Sequence, residues 1–211
     1  MPCRTMITAH AGSEGLPDNS LESFVQMCSC GADAVELDLR LWKGDLILSH
    51  NMPEEGKSYV PLARAFEEAA KYPDLMVNVD LKETGLIERT MELARACGIG
   101  GRVLFTGDIA PNEIPMIHKR GYTCWYNGSL IPVERRGEAF DYIESLGFEI
   151  LNTHYSTMPE EMLPLRCRQL SLWTLNTEEV LAKYLKAGVY NITTRLPLAA
   201  LRLRSELQSG L

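Results

Sequence analysis

A closed (β/α)8 barrel of the TIM type, formed by residues 1–211 as one α/β domain, is the fold the sequence predicts. Three observations predict it. Short apolar runs alternate with amphipathic stretches along the whole chain, eight strand-then-helix units can be counted, and polar residues collect at the carboxyl ends of the runs. Such alternation implies right-handed crossovers and a parallel sheet. At 211 residues the chain lies near the lower end of the size range for eight units. An open doubly wound sheet is the competing architecture, and both arrangements place functional residues just beyond the carboxyl ends of strands.

The first run, Met6 to His10, is apolar and ends in a histidine followed by Ala11-Gly12. Asn19 is then expected to cap a helix with Glu22 reaching back, and Leu21, Phe24, Val25 and Cys28 give that helix its apolar face until Gly31 stops it. Ala34 to Arg40 reads as a strand with Glu36 and Asp38 on one face. Turn residues Trp42 to Asp45 lead into a short return strand, Leu46 to Ser49, that ends at His50. Helix Pro61 to Lys71 and strand Leu75 to Lys82 come after it. The alternation then continues with helix Leu86 to Cys97, strand Val103 to Thr106, helix Asn112 to Lys119 and strand Tyr122 to Tyr126. Helix Gly137 to Leu146, strand Glu149 to Thr153, helix Pro159 to Arg168 and strand Leu170 to Leu175 come next. Helix Glu178 to Ala187, strand Tyr190 to Thr194 and a helical tail from Leu198 complete the chain.

Composition narrows the function. Twenty-one Lys and Arg stand against 28 Asp and Glu, a net charge of −7, and 45% of residues are apolar. Nucleic acid is not the expected partner, because phosphate-backbone binding needs a basic face. Apolar runs far shorter than the roughly 20 residues of a spanning helix argue against membrane insertion. The opening residues leave no room for a signal peptide, which predicts a cytoplasmic protein. Six cysteines without a CxxC pair are expected as thiols acting as small buried hydrophobes.

The acids at the strand ends carry the chemistry. By parity Glu36, Asp38 and Asp80 face inward, with Asn78 and Lys82 sharing the face of Asp80. A helix-covered strand should be nearly continuously apolar, since burying an unpaired carboxylate is costly. Three carboxylates crowded at one mouth need a cation, and all-oxygen ligation selects Mg2+ or Ca2+ over zinc. His10 and His50 end the strand-like runs that flank the acidic pair, and imidazoles suit proton transfer near neutral pH. Trp125 is divided between mouth lining and core packing, and so is Asn127. His154 is a weaker candidate for substrate contact, and Gly98 to Gly101 reads as a helix stop.

These runs together resemble the glycerophosphodiester phosphodiesterase family. His10-Ala11-Gly12 stands where the family has His-Arg-Gly, and Pro17-Asp18-Asn19-Ser20 where it has Pro-Glu-Asn-Thr. Glu36-Leu37-Asp38 matches Glu-x-Asp, His50-Asn51 matches His-Asp, and Asp80-Leu81-Lys82 resembles Glu-x-Lys. Leu172 to Asn176 and Thr194 to Pro197 look like the closing motifs. The resemblance implies a divalent metal on Glu36, Asp38 and Asp80, and His10 and His50 as an acid/base pair. It also implies substrate contacts from Lys82, Trp173 and Asn19. In the implied reaction a neighbouring hydroxyl of the substrate attacks phosphorus, and water then opens the cyclic phosphate.

Ala11 removes a family arginine. Three carboxylates, one divalent cation and Lys82 sum to zero charge, so a bound phosphodiester needs a further cation. Arg195 comes just after the eighth strand, which neighbours the first in a closed barrel, and is expected either to supply that cation or to form a surface salt bridge. The family's usual insertion after His50 is missing, so the mouth should be open to a larger headgroup. The expected function is hydrolysis of a small phosphodiester to an alcohol and glycerol phosphate. The alternatives are a sphingomyelinase D-like lyase that releases a cyclic phosphate, and a binding protein with impaired catalysis.

Overall fold

A computed structural model describes residues 4–157 and 162–209. Its elements in order are β1 (Met6–Ala9), α1 (Leu21–Ser29), β2 (Ala34–Trp42), β3 (Asp45–Leu48), α2 (Leu62–Ala69) and β4 (Met76–Leu81). They continue with α3 (Ile87–Ala96), β5 (Val103–Gly107), α4 (Ile114–Lys119), β6 (Thr123–Cys124), β7 (Tyr126–Asn127) and α5 (Ala139–Ser145). The last are β8 (Leu151–His154), α6 (Leu163–Arg166), β9 (Leu170–Trp173), α7 (Glu178–Ala187), β10 (Asn191–Thr194) and α8 (Pro197–Leu207).

The sheet runs β6-β5-β4-β2-β1-β10-β9-β8-β7, every neighbouring pair on that path parallel, with β3 folded back antiparallel on β2 as a hairpin arm. The expected strand Tyr122 to Tyr126 is broken at Trp125. Its first half pairs with β5 and its second half, β7, with β8, so the chain itself joins the two ends of the ladder. Counting β6 and β7 as one broken strand gives eight parallel strands and closes the barrel. Trp125 belongs to the core rather than the mouth. Its buried ring joins Leu104 and Ile150, with Met6, Met76 and Tyr190 packed around them at the amino ends of the strands.

Outward-facing strand residues such as Val35, Leu37, Val77 and Val79 form one hydrophobic cluster with Phe24, Phe66, Ile87 and Met91 of the surrounding helices. The barrel interior is polar instead. Thr8 donates to Asn191 Oδ1 (2.8 Å), Asn191 Nδ2 to Ser171 Oγ (2.9 Å), Ser171 to Asn152 Oδ1 (2.8 Å) and Asn152 Nδ2 to Asn127 Oδ1 (2.7 Å). Each group in this chain finds a partner, which removes the desolvation penalty of burying it.

Two local expectations need correction. Ser20, not Asn19, caps α1, its hydroxyl accepting from the Ser23 amide at 3.1 Å. Of the expected helix Pro159 to Arg168, residues 159–161 lie outside the described residues, and the remainder forms only the four-residue α6 and a 3-10 turn. Cys28 and Cys124 are buried free thiols whose pKa values desolvation pushes up to about 12, in keeping with a packing role. Cys3 lies outside the described residues.

The last helix is bolted to the first strand. Arg204 of α8, 3% exposed, bonds the Asp33 carboxylate and donates to the Thr5 carbonyl at 2.9 Å. The same Asp33 carboxylate accepts from the Ile7 amide at 2.8 Å. Replacing Arg204 with Met should lower unfolding stability by about 2 kcal/mol, since a charge-assisted bond and a buried carbonyl both lose their partner. Urea melts of the two proteins with unchanged slope would read the difference; equal midpoints would remove the bolt from the account.

Candidate active site

Strand parity and register assemble the acidic cluster. In the parallel pairing of β2 with β4, Glu36 lies opposite Asn78 and Asp38 opposite Asp80, so residues two apart on adjacent strands project into the same mouth. Thr106 Oγ1 donates to Asn78 Oδ1 (2.9 Å), which turns the Asn78 amide nitrogen toward Glu36 Oε2 (3.2 Å). Lys82 Nζ reaches Asp38 Oδ1 at 2.9 Å and Asp80 Oδ2 at 2.6 Å. Burial opposes the charge on that ammonium, but Asp80 and Asp38 together hold its pKa above the ordinary lysine value.

One ligand atom each from Glu36, Asp38 and Asp80 lie within 4.8 Å of one another. Two further observations fit a hard divalent cation. Asp80 Oδ1 is buried with no hydrogen-bond partner. Burial, then the neighbouring charges of Asp80 and Asp38, pushes the Glu36 carboxyl well above the usual carboxylate range. A divalent ion on these oxygens would satisfy the orphaned atom and relieve the crowding of like charge.

Asn19 serves this cluster rather than α1. It sits in the left-handed region (φ 56°), which asparagine tolerates better than most residues. Its Nδ2 donates to Asp38 Oδ2 at 2.6 Å while its Oδ1 accepts from the Asp38 amide at 3.0 Å. This reciprocal clasp fixes Asp38.

His10 lies just past β1, and its backbone amide donates to the Thr194 carbonyl at 2.9 Å. Its Nε2 lies 3.7 Å from Glu36 Oε1 and its Nδ1 is buried without a partner. Burial, then the Arg195 charge, lowers its pKa to about 4, so the imidazole is neutral at pH 7. His50 follows β3 and is exposed, with Nδ1 3.1 Å from Asn51 Oδ1. Both rings, with the acids, Lys82, Asn127 and Trp173, line a cavity of about 390 Å3. Trp173 ends β9, is half-buried, and carries an indole N–H that is buried without a partner.

Arg40 is a site residue that the sequence reading does not single out. It lines the same cavity, donates through Nε (3.1 Å) and NH2 (3.0 Å) to the His50 carbonyl, and through NH1 (3.2 Å) to the Lys82 carbonyl. A signal for it exists: residue 40 continues the inward parity of 36 and 38. Ser129 and Asn152 also line the cavity and were not expected there.

Of the two roles expected for Arg195, the structure shows the salt bridge rather than a free cation. Its guanidinium grips Asp18 bidentately at 2.6 and 2.8 Å and donates to the Gly12 carbonyl at 3.0 Å. These hydrogen bonds hold the Asp18 carboxyl below its usual pKa. Only glycine fits at position 12, where a Cβ would lie 1.7 Å from Asp18 Oδ1. Arg195 is not among the residues lining the cavity. His154 also lies outside it: the ring stacks on Tyr155 and meets the edge of Trp173 at 5.3 Å between centroids.

If the acids hold a divalent ion, saturating Mg2+ or Ca2+ should raise the melting temperature of the native protein, because a ligand at about 100 times its dissociation constant stabilises by about 2.7 kcal/mol. Glu36→Gln and Asp80→Asn should each lose that shift. A metal-dependent shift that survives both substitutions would place the ion elsewhere.

No protein-family model matches the chain, and no curated protein matches its sequence. Solved structures do match. A candidate glycerophosphoryl diester phosphodiesterase from Agrobacterium tumefaciens superimposes with a TM-score of 0.83 at 15% identity, over 98% of this chain and 100% of that one. A glycerophosphodiester phosphodiesterase from Parabacteroides distasonis gives 0.76 at 19% identity, over 96% and 98% of the two chains. A phosphodiesterase from Oleispira antarctica, in complex with its product sn-glycerol-3-phosphate, gives 0.73 at 19% identity, over 95% and 96%. The chain therefore has, over nearly its whole length, the single-domain (β/α)8 barrel fold of glycerophosphodiester phosphodiesterases.

Proposed function

We propose that this chain is a divalent-metal-dependent phosphodiesterase that hydrolyses a glycerophosphodiester to an alcohol and glycerol phosphate. The observation that carries the reading is the convergence, in one barrel mouth, of three crowded carboxylates, two histidines and the Lys82 ammonium. The barrel's likeness to phosphodiesterases, one of them bound to glycerol phosphate, supports the same chemistry. Free thiols at five cysteines suit a reducing, cytoplasmic setting.

A metal on Glu36, Asp38 and Asp80, whether Mg2+ or Ca2+, would supply positive charge to the phosphoryl oxygens. The protein's residues do the rest. Neutral His10 accepts the proton of the glycerol hydroxyl that neighbours the phosphate, and that oxygen forms a bond to phosphorus. The bond from phosphorus to the departing alcohol breaks, and His50 donates a proton to the leaving oxygen. With the roles reversed, water opens the cyclic phosphate. The Asn51 side-chain oxygen Oδ1 fixes the His50 ring through Nδ1, leaving Nε2 for the transfer. Lys82, held between two acids, still has an N–H for a phosphate oxygen. Trp173 offers its face and one indole donor to the substrate.

Arg40, rather than Arg195, supplies the charge that Ala11 omits. Arg195 is already paired with a carboxylate, whereas the Arg40 guanidinium bonds only neutral groups among the described residues, two backbone carbonyls and the Met52 sulfur. Its positive charge is left for the phosphodiester, and its grip on the His50 carbonyl couples phosphate binding to the position of the acid.

Assayed on glycerophosphocholine with Mg2+ or Ca2+, His10→Ala and His50→Ala should each lower kcat by about a thousandfold. Arg40→Gln should lower kcat/KM by roughly 10- to 100-fold, the value of a charge-assisted bond, mostly through KM, while Arg195→Gln changes it far less. Phosphorus NMR of the products should show glycerol phosphate; accumulation of the cyclic phosphate instead would make the protein a lyase. Native turnover unaffected by His10→Ala would overturn the mechanism.

A further inference from the structure

The loop from Ala11 to Ser20 joins β1 to α1 with one 3-10 turn inside it, Ser13–Gly15. Three of its residues lie in the left-handed region, Glu14 (φ 55°), Gly15 (φ 80°) and Asn19 (φ 56°). For residues with a side chain this is a conformation that persists only where surrounding contacts hold it. Arg195, which follows β10, supplies such contacts at three points. Its carbonyl accepts from the Glu14 amide at 2.8 Å, its guanidinium donates to the Gly12 carbonyl at 3.0 Å, and the same group grips both Asp18 oxygens at 2.6 and 2.8 Å. Arg195 is itself tied to the barrel, because its amide donates to Asn176 Oδ1 beyond β9 at 3.0 Å. The residue after Asp18 is the one that clasps Asp38. Consecutive Cα atoms lie about 3.8 Å apart, so a fork that fixes Asp18 leaves Asn19 little freedom to move. The Asn19 amide is held as well, donating to the Ala11 carbonyl at 2.7 Å.

We infer that Arg195 is a positioning residue for the metal site: its fork on Asp18 sets the loop from which Asn19 clasps Asp38, one of the three carboxylates. The inference rests on the reading that Glu36, Asp38 and Asp80 hold a divalent ion, and adds to it a residue bonded to Asp18 rather than to any of them. With Oδ2 held by Asn19 and Oδ1 by Lys82, the Asp38 carboxylate has one orientation, and each oxygen keeps a lone pair for an ion. Groups that orient a ligand in this way set the affinity of the site. The fork suits the task, since two parallel bonds fix the plane of the Asp18 carboxylate. It is also 37% exposed on Arg195 and 46% on Asp18, and exposed pairs add little to overall stability. Charge and position then predict opposite signs. The Arg195 charge interacts with Asp38 and Glu36, so by repulsion alone its removal would tighten the binding of another cation. By position, its removal loosens Asp38 and weakens that binding.

Titration calorimetry of the whole protein with Ca2+ or Mg2+ alone separates the two. Asn19→Gly keeps the left-handed backbone and removes the clasp, and should weaken binding by roughly 10- to 100-fold, the range for losing a partner of a metal ligand. Arg195→Gln, one step further out, should weaken it by roughly 3- to 10-fold. Arg195→Lys keeps the charge but not the planar fork, so it should also weaken binding, and it serves if Arg195→Gln folds poorly. In the Asn19→Gly protein, adding Arg195→Gln should weaken binding no further, because the route through Asn19 is already cut. Equal or tighter binding by both Arg195 variants overturns the inference, and so does a further loss in the double variant. A lowered metal-free melting temperature with unchanged affinity would make the fork a folding contact and overturn it as well. In each of these cases the native affinity leaves the metal reading standing. A native protein that takes up neither ion removes both.

Discussion

The structure turns on the crowding of Glu36, Asp38 and Asp80 in a mouth that water scarcely reaches. Three carboxylates packed this closely repel one another, and desolvation adds to the penalty. The protein answers in part with its own groups. Lys82 spans two of the acids, Asn78 donates to the third, and Asn19 clasps Asp38. One buried oxygen, Asp80 Oδ1, is still left over, and Glu36 still has its carboxyl pushed up. An arrangement that is neutralised this far and no further is poised for a cation from solution.

The barrel behind the mouth serves that arrangement. Its polar interior chain from Thr8 to Asn127 holds the inward residues of five strand segments in one orientation, and a slip of one residue in any of them would break it. Register also decides the acids. A one-residue shift between β2 and β4 would turn Asp80 away from Asp38 and hand Lys82 to the wrong face. The hydrophobic cluster outside the barrel fixes the same register from the other side, because Val35, Leu37, Val77 and Val79 must point outward for the acids to point inward.

The same dependence on register explains how much of the site is legible in the sequence. The alternation of Glu36, Asp38, Asn78, Asp80 and Lys82 is a period-two pattern, and period two maps directly onto a strand face. The barrel is legible because amphipathic stretches recur at the spacing of crossovers. Asn19 reads ambiguously because asparagine favours both helix caps and left-handed turns, and only the approach of Asp38 decides between them. Arg40 is hidden because the last polar residue of a strand reads as its exit to solvent; the hairpin that brings the His50 carbonyl back over it is a tertiary event.

The surroundings of Ala11 show why site residues cannot be moved one at a time. Ala11 is 1% exposed, and its carbonyl accepts the Asn19 amide at 2.7 Å, so the small residue lies under the loop that delivers both Asp18 and Asn19. Arg195 enters over Gly12 from β10 and closes on Asp18, which makes a nearly neutral unit beside His10. Arg195 lowers the His10 pKa and Asp18 raises it, so their effects on the imidazole partly cancel, and burial remains the main reason that it is neutral. The pair thus leaves burial to keep His10 neutral and adds little net charge toward the mouth. A cation for the substrate must then come from a group that is not already matched with a carboxylate. Among the residues lining the polar cavity, Lys82 is matched twice and Arg40 not at all. The unmatched positive charge in this mouth thus stands on the second strand, against the carbonyl of His50.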